Sequence, residues 1–189
     1  MPWGDYGDIL LSGMTSHLDR KNGLLQLART GPFVPPITKS GISEIVVTDA
    51  FKQQLEKSGL SGFNFQPVIK AHIVRFEWEK WNRTANEPPE YPETGEPEDY
   101  ILARPHSPQL AEEIGHLWEL QLQEHAEVER VQVGSNSWDA NIYVLLSSWD
   151  GTDWFRAKTV GYIYISEKAK EWLEQWVSEW VRFEPALTK

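Results

Sequence analysis

The period of the apolar positions changes along the chain, and each change marks an element. Ile42 to Val47 reads as a strand, because Ile45, Val46 and Val47 are consecutive and apolar. Thr48 is a good helix N-cap, since its hydroxyl accepts from an otherwise orphaned N–H. The spacing predicts a helix over Asp49–Lys57, with Phe51 and Leu55 on one face and Gly59 ending it. Residues 62–68 alternate as a strand does. An extended run follows from Val68 to Trp78, where Val68, His72, Val74, Phe76 and Trp78 share a parity that Lys70 interrupts.

The second half repeats these moves. Ser107 caps a short helix that Pro108 opens, with Leu110 and Ile114 four apart and Gly115 as its stop. Trp118, Leu120 and Leu122 alternate with Glu119, Gln121 and Gln123, which reads as a half-exposed strand; a continuous helix over 108–127 is the rival. Residues 141–147 predict a buried strand, and Asp150-Gly151 a turn. Residues 161–165 predict another strand, with Ser166 as the next N-cap. The helix behind it is expected to run to about Val181, on a stripe of Ala169, Leu173, Trp176, Val177 and Trp180. Residues 1–40 read as irregular. Gly31-Pro32-Phe33-Val34-Pro35-Pro36 excludes regular helix, and Leu18 to Ala28 fits either a short helix or a strand.

These two halves share a sequence pattern. Residues 45–67 align without a gap on residues 163–185, and six of the 23 positions are identical. Thr48 aligns with Ser166 and Asp49 with Glu167, so cap and first-turn acid recur together. The expectation is an α+β fold: two similar strand–helix–strand units packed as one domain around a mixed β-sheet. The halves run over about 1–81 and 100–189. Residues 82–99 join them, with four prolines and six acids against one basic residue, a composition that cannot bury a core. The copies also differ. Val177 and Trp180 stand where the first has Gly59 and Gly62, so the second helix should run longer and leave less room for a closing strand.

Composition narrows the function classes. The chain carries 28 acidic and 18 basic residues, a net charge of -10, with no basic cluster. Phosphate contacts dominate nucleic-acid affinity, so a nucleic-acid partner is not expected. The absence of cysteine removes disulfides, thiolate catalysis and cysteine-based zinc sites and fits a reducing cytoplasm. No apolar run is long enough to span a membrane, and the opening Met1-Pro2-Trp3-Gly4-Asp5 does not read as a secretory leader. Ten tryptophans are many for this length; each is either a core residue or an anchor on a binding surface.

Candidate chemistry is sparse. No nucleophile elbow, phosphate loop or dinucleotide fingerprint occurs, so no catalytic residue and no cofactor are assigned. Glu113 and His116 have the spacing of helix-borne metal ligands, but the second such pair that this chemistry needs is missing. His125 with Glu124 and Glu127, and His72 alone, read as ordinary histidines, and no metal site is assigned. Two segments remain as partner-binding candidates. One is the acidic stretch with Glu87, Glu90, Glu93 and Glu96. The other is Trp149, Asp150, Asp153 and Trp154, two tryptophans around two acids, which fits a protein-binding hot spot, a sugar-stacking loop, or a hairpin folded back on its sheet.

The run Ile45-Val46-Val47-Thr48, Phe51, Leu55-Glu56, Gly59-Leu60, Gly62-Phe63 and Phe65-Gln66-Pro67-Val68 resembles bacterial families grouped with immunity proteins of polymorphic toxin systems. The closing run from Tyr164 to Glu174 is similar to the C-terminal part of such proteins. Together they cover about a third of the chain. Some relatives carry paired Cys-x-x-Cys motifs; this chain has none, so no zinc site carries over. The resemblance implies a small cytoplasmic α+β protein that binds and neutralises a toxin. A basic toxin domain suits the acidic charge through electrostatic steering. A carbohydrate-binding or carbohydrate-active protein using the Trp-rich loop is the alternative.

Overall fold

In a computed structural model of the chain, residues 20–40, 44–82, 84–96, 98–134, 139–158 and 161–189 are described. The expectations for residues 18–19 and 42–43 lie outside them. The fold is α+β, with parallel and antiparallel strand pairs. Two compact units divide the chain, 1–52 with 65–119 and 53–64 with 120–189. The acidic segment 82–99 therefore belongs to the first unit.

The first unit contains β1 (Gln26–Gly31), β2 (Ile37–Ser40) and β3 (Glu44–Thr48). Over residues 26–28, β1 bears out the strand alternative for Leu18 to Ala28, and elsewhere in residues 20–40 β1 and β2 replace the irregular structure expected there. Strand β1 is buried almost throughout, and its polar Arg29 and Thr30 hide the strand from a hydropathy reading. It lies parallel to β5 (Ile69–Arg75), with Ala28 opposite His72 and Thr30 opposite Val74. Helix α1 (Asp49–Lys57) has the expected bounds, and Thr48 Oγ1 accepts from the Phe51 N–H at 3.3 Å. Strands β4 (Phe63–Pro67) and β6 (Leu117–Leu122) complete a sheet of order β2-β3-β6-β4. The rival helix over 108–127 is excluded by β6 and by α3 (Pro108–Glu113), whose Ser107 cap accepts from the Leu110 N–H at 3.2 Å. Short helix α2 (Asp99–Leu102) follows the acidic segment.

Among the described residues three clusters contribute to this unit's core, one of them Ala28, Val74 and Ile101. Leu25, Leu27, Val46 and Leu117 pack with Val34, Val68 and Ile114. Phe76, Trp78 and Tyr100 pack with Phe33 and Trp81, and the Phe76 and Tyr100 rings stack at 4.6 Å. Burying side chains of this size contributes about 1.5–3 kcal/mol each. Glu119 breaks the expected alternation of β6: it is buried because Arg20 grips both carboxylate oxygens, at 2.6 and 2.7 Å.

In the second unit, β8 (Val128–Gln132) and β9 (Ala140–Val144) form an antiparallel hairpin, and the short β12 (Leu187–Thr188) lies parallel to β9. Strand β9 is half-buried apart from Val144, which corrects the expected buried strand. A second sheet has the order β11-β10-β7, from β7 (Glu124–Ala126), β10 (Trp154–Ala157) and β11 (Ile163–Ile165). Ala126, Val144, Phe155 and Ala157 form one core cluster, with Val128, Trp149 and Tyr164 against it. Helix α4 (Glu167–Val177) starts at the expected cap, where Ser166 Oγ accepts from the Ala169 N–H at 3.1 Å. It is longer than α1, as expected, but ends before Val181. Ala169, Leu173 and Val177 are buried, whereas Trp176 is exposed and leaves the stripe. Residues 178–186 form no strand, so the second copy lacks its closing strand.

Candidate functional site

The candidate partner-binding residues fall in separate environments. In the acidic segment, Glu87, Glu93 and Glu96 are exposed. Glu90 is fixed to the fold: Arg104 pairs with its carboxylate, and its carbonyl accepts from the Tyr100 hydroxyl. Because Tyr100 is a core residue, this contact ties the segment to the aromatic cluster.

Within the second unit, the Trp-rich turn divides by burial. Asp150 is exposed and closes an Asx turn, accepting from the Thr152 N–H at 3.0 Å and hydroxyl at 2.8 Å. Thr152 holds the Asp150 carboxyl below the usual aspartate range, and His125, 2.6 Å away, adds to the shift. Trp154 is only 3 % exposed and stands edge-on to Phe63 at 6.2 Å. Asp153 is 7 % exposed. Its Oδ2 accepts from the Ser61 N–H at 2.9 Å, the Ser61 hydroxyl at 3.1 Å and the Lys168 ammonium at 3.3 Å. Its Oδ1 accepts from the Ser166 hydroxyl at 2.7 Å. Burial alone would raise this carboxyl, but the hydrogen bonds outweigh it and hold the group below its ordinary value. Asp153 and Trp154 are thus interior residues that pin the 58–62 loop to the start of α4.

Trp149 takes a different part. Its indole N–H donates to the Thr152 carbonyl at 3.0 Å, and its ring lies 5.6 Å from Phe155. Phe155 in turn stacks on Tyr164 at 5.5 Å and 18°. These three rings form a row across the turn, β10 and β11. Burial, then neighbouring Tyr162, raises the Tyr164 phenol, which therefore stays neutral at physiological pH.

A groove opens beside this row. A cavity of about 450 Å³ lies between β11 with the first turn of α4 on one side and residues 182–186 on the other. A smaller hollow of about 190 Å³ shares its Tyr164, Ile165, Ser166, Glu167 and Ala186 lining, and reaches Trp149, Phe155 and Leu146. The charges at the rim pair among themselves: Lys170 with Glu167 at 2.7 Å and Arg182 with Glu184 at 3.2 Å. Of the candidate residues, only Trp149 lines this groove. The sequence held one signal for the rest: Tyr164 stands where the first copy has Val46, a buried core residue.

His72 is placed by main-chain contacts. His72 Nε2 lies 3.1 Å from the Ile101 carbonyl and 2.9 Å from that of Arg104. Glu113 pairs with Arg75 at 3.1 Å, and His116 is exposed. Among the described residues, no three His, Asp or Glu side chains gather as a metal site would require, and no helix is long and apolar enough to cross a membrane. The chain matches no family model, no curated protein and no solved structure.

Proposed function

We propose that this is a non-enzymatic protein-binding protein, an immunity-type inhibitor that acts in the cytoplasm to neutralise a cognate toxin. One observation carries the reading: the groove of the second unit is bordered by large apolar side chains left in water. Leu146 is 48 % exposed on its wall, Tyr162 is 60 % exposed with its ring 6.5 Å from Tyr164, and Leu187 is 46 % exposed beside the lining residue Ala186. Exposed apolar groups around a concave surface with a neutral polar rim are the anatomy of a protein interface. Tyrosine and tryptophan are the side chains that most often anchor one. The surplus of acidic charge favours a basic partner by speeding encounter.

The test is affinity capture from native lysate with the full chain, in parallel with a Leu146→Asp, Tyr164→Ala variant. The expected result is a protein retained by the parent and lost from the variant, whose expression alone arrests growth and whose toxicity the parent relieves. Equal capture by both forms, or a captured protein without toxicity, would overturn the proposal. The carbohydrate alternative keeps a single stacking platform, Trp149, because Trp154 is buried. A change in tryptophan fluorescence across a glycan panel would favour it.

A further inference from the structure

The two copies of the repeat pair their first strands differently. In the first copy, β3 has neighbours on both edges, β2 on one and β6 on the other. In the second copy, among the described residues, β11 has a neighbour only on one edge, β10. The registers correspond: Val47 lies opposite Ile37 in an antiparallel pair, and its counterpart Ile165 lies opposite Trp154 in another. Strand β10 therefore fills the place of β2, and nothing among the described residues fills the place of β6.

Hydrogen bonding shows which groups face that edge. Ser166 donates its N–H to the Asp153 carbonyl at 2.9 Å, whereas the Trp154 and Arg156 N–H groups turn away from β11, to Ser61 and Gln123. Trp154–Ile165 and Arg156–Ile163 are therefore the non-hydrogen-bonded pairs of the ladder. The N–H and C=O of Ile163 and Ile165 consequently point outward, into the cavity that β11 lines along its whole length. Such a row of backbone donors and acceptors is a template for another strand.

We infer that the groove takes an extended segment of a partner protein as an added strand on β11, as β3 takes β6 in the first copy. This inference rests on the protein-binding function proposed above and names its mode. Two features favour peptide backbone as the occupant. The rim charges are internally paired, so neither a polyanion nor a polycation is called for. The row Trp149, Phe155, Tyr164 repeats at 5.5–5.6 Å, close to the strand spacing of about 4.8 Å. An aromatic side chain opposite Tyr164 on the added strand continues that row. Main-chain bonds supply affinity in this mode, and alternate side chains supply specificity.

The probes are the acetylated and amidated peptide His-Leu-Trp-Glu-Leu-Gln-Leu-Gln, the sequence of residues 116–123, and dodecapeptides selected from a displayed random library on the full chain. Bound peptide is expected to slow hydrogen exchange at the Ile163 and Ile165 amides at least tenfold and to leave Tyr164 unchanged. N-methylation along the peptide should weaken binding at every second position. Ile165→Pro removes an outward N–H without touching the β10 ladder and should weaken binding at least tenfold. Should that variant misfold, the N-methyl scan on the parent chain decides alone. Failure of both probes to bind, binding without the two-residue period, or unprotected Ile163 and Ile165 amides would overturn strand addition. A captured protein partner that still binds Ile165→Pro would leave the function standing and remove only its mode.

Discussion

Replacing Asp153 tests the account of how the second unit is held. The carboxylate takes four donors, two from Ser61 and one each from Ser166 and Lys168. A hydrogen bond to a charged group is worth about 1.5–3 kcal/mol net, and bonds sharing one acceptor do not add in full. Lys168 is largely exposed, so its share is at most about 1 kcal/mol. Asp153→Ala should therefore cost about 3 kcal/mol, and Asp153→Asn, which keeps one acceptor oxygen, about 2 kcal/mol. For a chain of this length 3 kcal/mol lowers Tm by about 6–12 °C. Calorimetry and urea unfolding measure this directly. The pH dependence supplies an independent check. The folded pKa is depressed, so the stabilisation is full above the unfolded value of about 3.9 and is lost as pH falls through the folded one. The gap between the parent and Asp153→Asn should thus be constant over roughly pH 6–8 and close in acid. A cost below about 0.5 kcal/mol, or a gap unchanged at about pH 2, would refute the reasoning.

Three further outcomes follow from particular contacts. At Gly62, with φ of +97°, an added Cβ would lie 1.9 Å from the Trp154 carbonyl oxygen, whereas Gly59 at +70° has open space. Gly62→Ala should cost about 3 kcal/mol or more and Gly59→Ala only about 1–2 kcal/mol, read from urea midpoints. Arg29 is fully buried, its Nη1 and Nη2 reach no acceptor among the described residues, and burial pulls its pKa down to about 10. Arg29→Met should therefore stabilise the protein by about 1–3 kcal/mol in thermal unfolding, and a clear loss of stability would contradict that account. Reversal of Glu87, Glu93 and Glu96 to lysine should slow association with the captured partner about tenfold at low salt, by stopped-flow, and change dissociation little.

Local chemistry was legible wherever one residue decides it. Thr48, Ser107 and Ser166 cap helices because a hydroxyl beside an orphaned N–H needs no distant partner. Strand β1 was legible only as one of two alternatives up to Ala28, and its end was hidden because Arg29 and Thr30 look solvated in sequence, yet both are buried. Glu119 likewise depends on Arg20, 99 residues away. The end of α4 was misjudged because Trp176 and Trp180 continue the helical spacing, whereas the Trp180 N–H bonds to the Val177 carbonyl in a turn. The groove was hidden for a different reason. Trp149, Phe155 and Tyr164 come from a turn and two strands, and no spacing rule joins them. That β11 has one neighbour among the described residues is a fact of pairing, which hydropathy does not encode.

An unpaired strand edge does not distinguish a foreign segment from another molecule of the same chain. Strand β11 is only three residues long, with Lys170 and Arg182 at its flanks, and short, charged edges resist self-templating. The net charge of -10 adds mutual repulsion between copies. That repulsion is screened within a Debye length of about 8 Å at physiological ionic strength and about 3 Å at 1 M salt. Any self-association through that edge is therefore expected to rise with salt and to be suppressed by a segment seated on β11, a dependence that sedimentation at low and high salt measures.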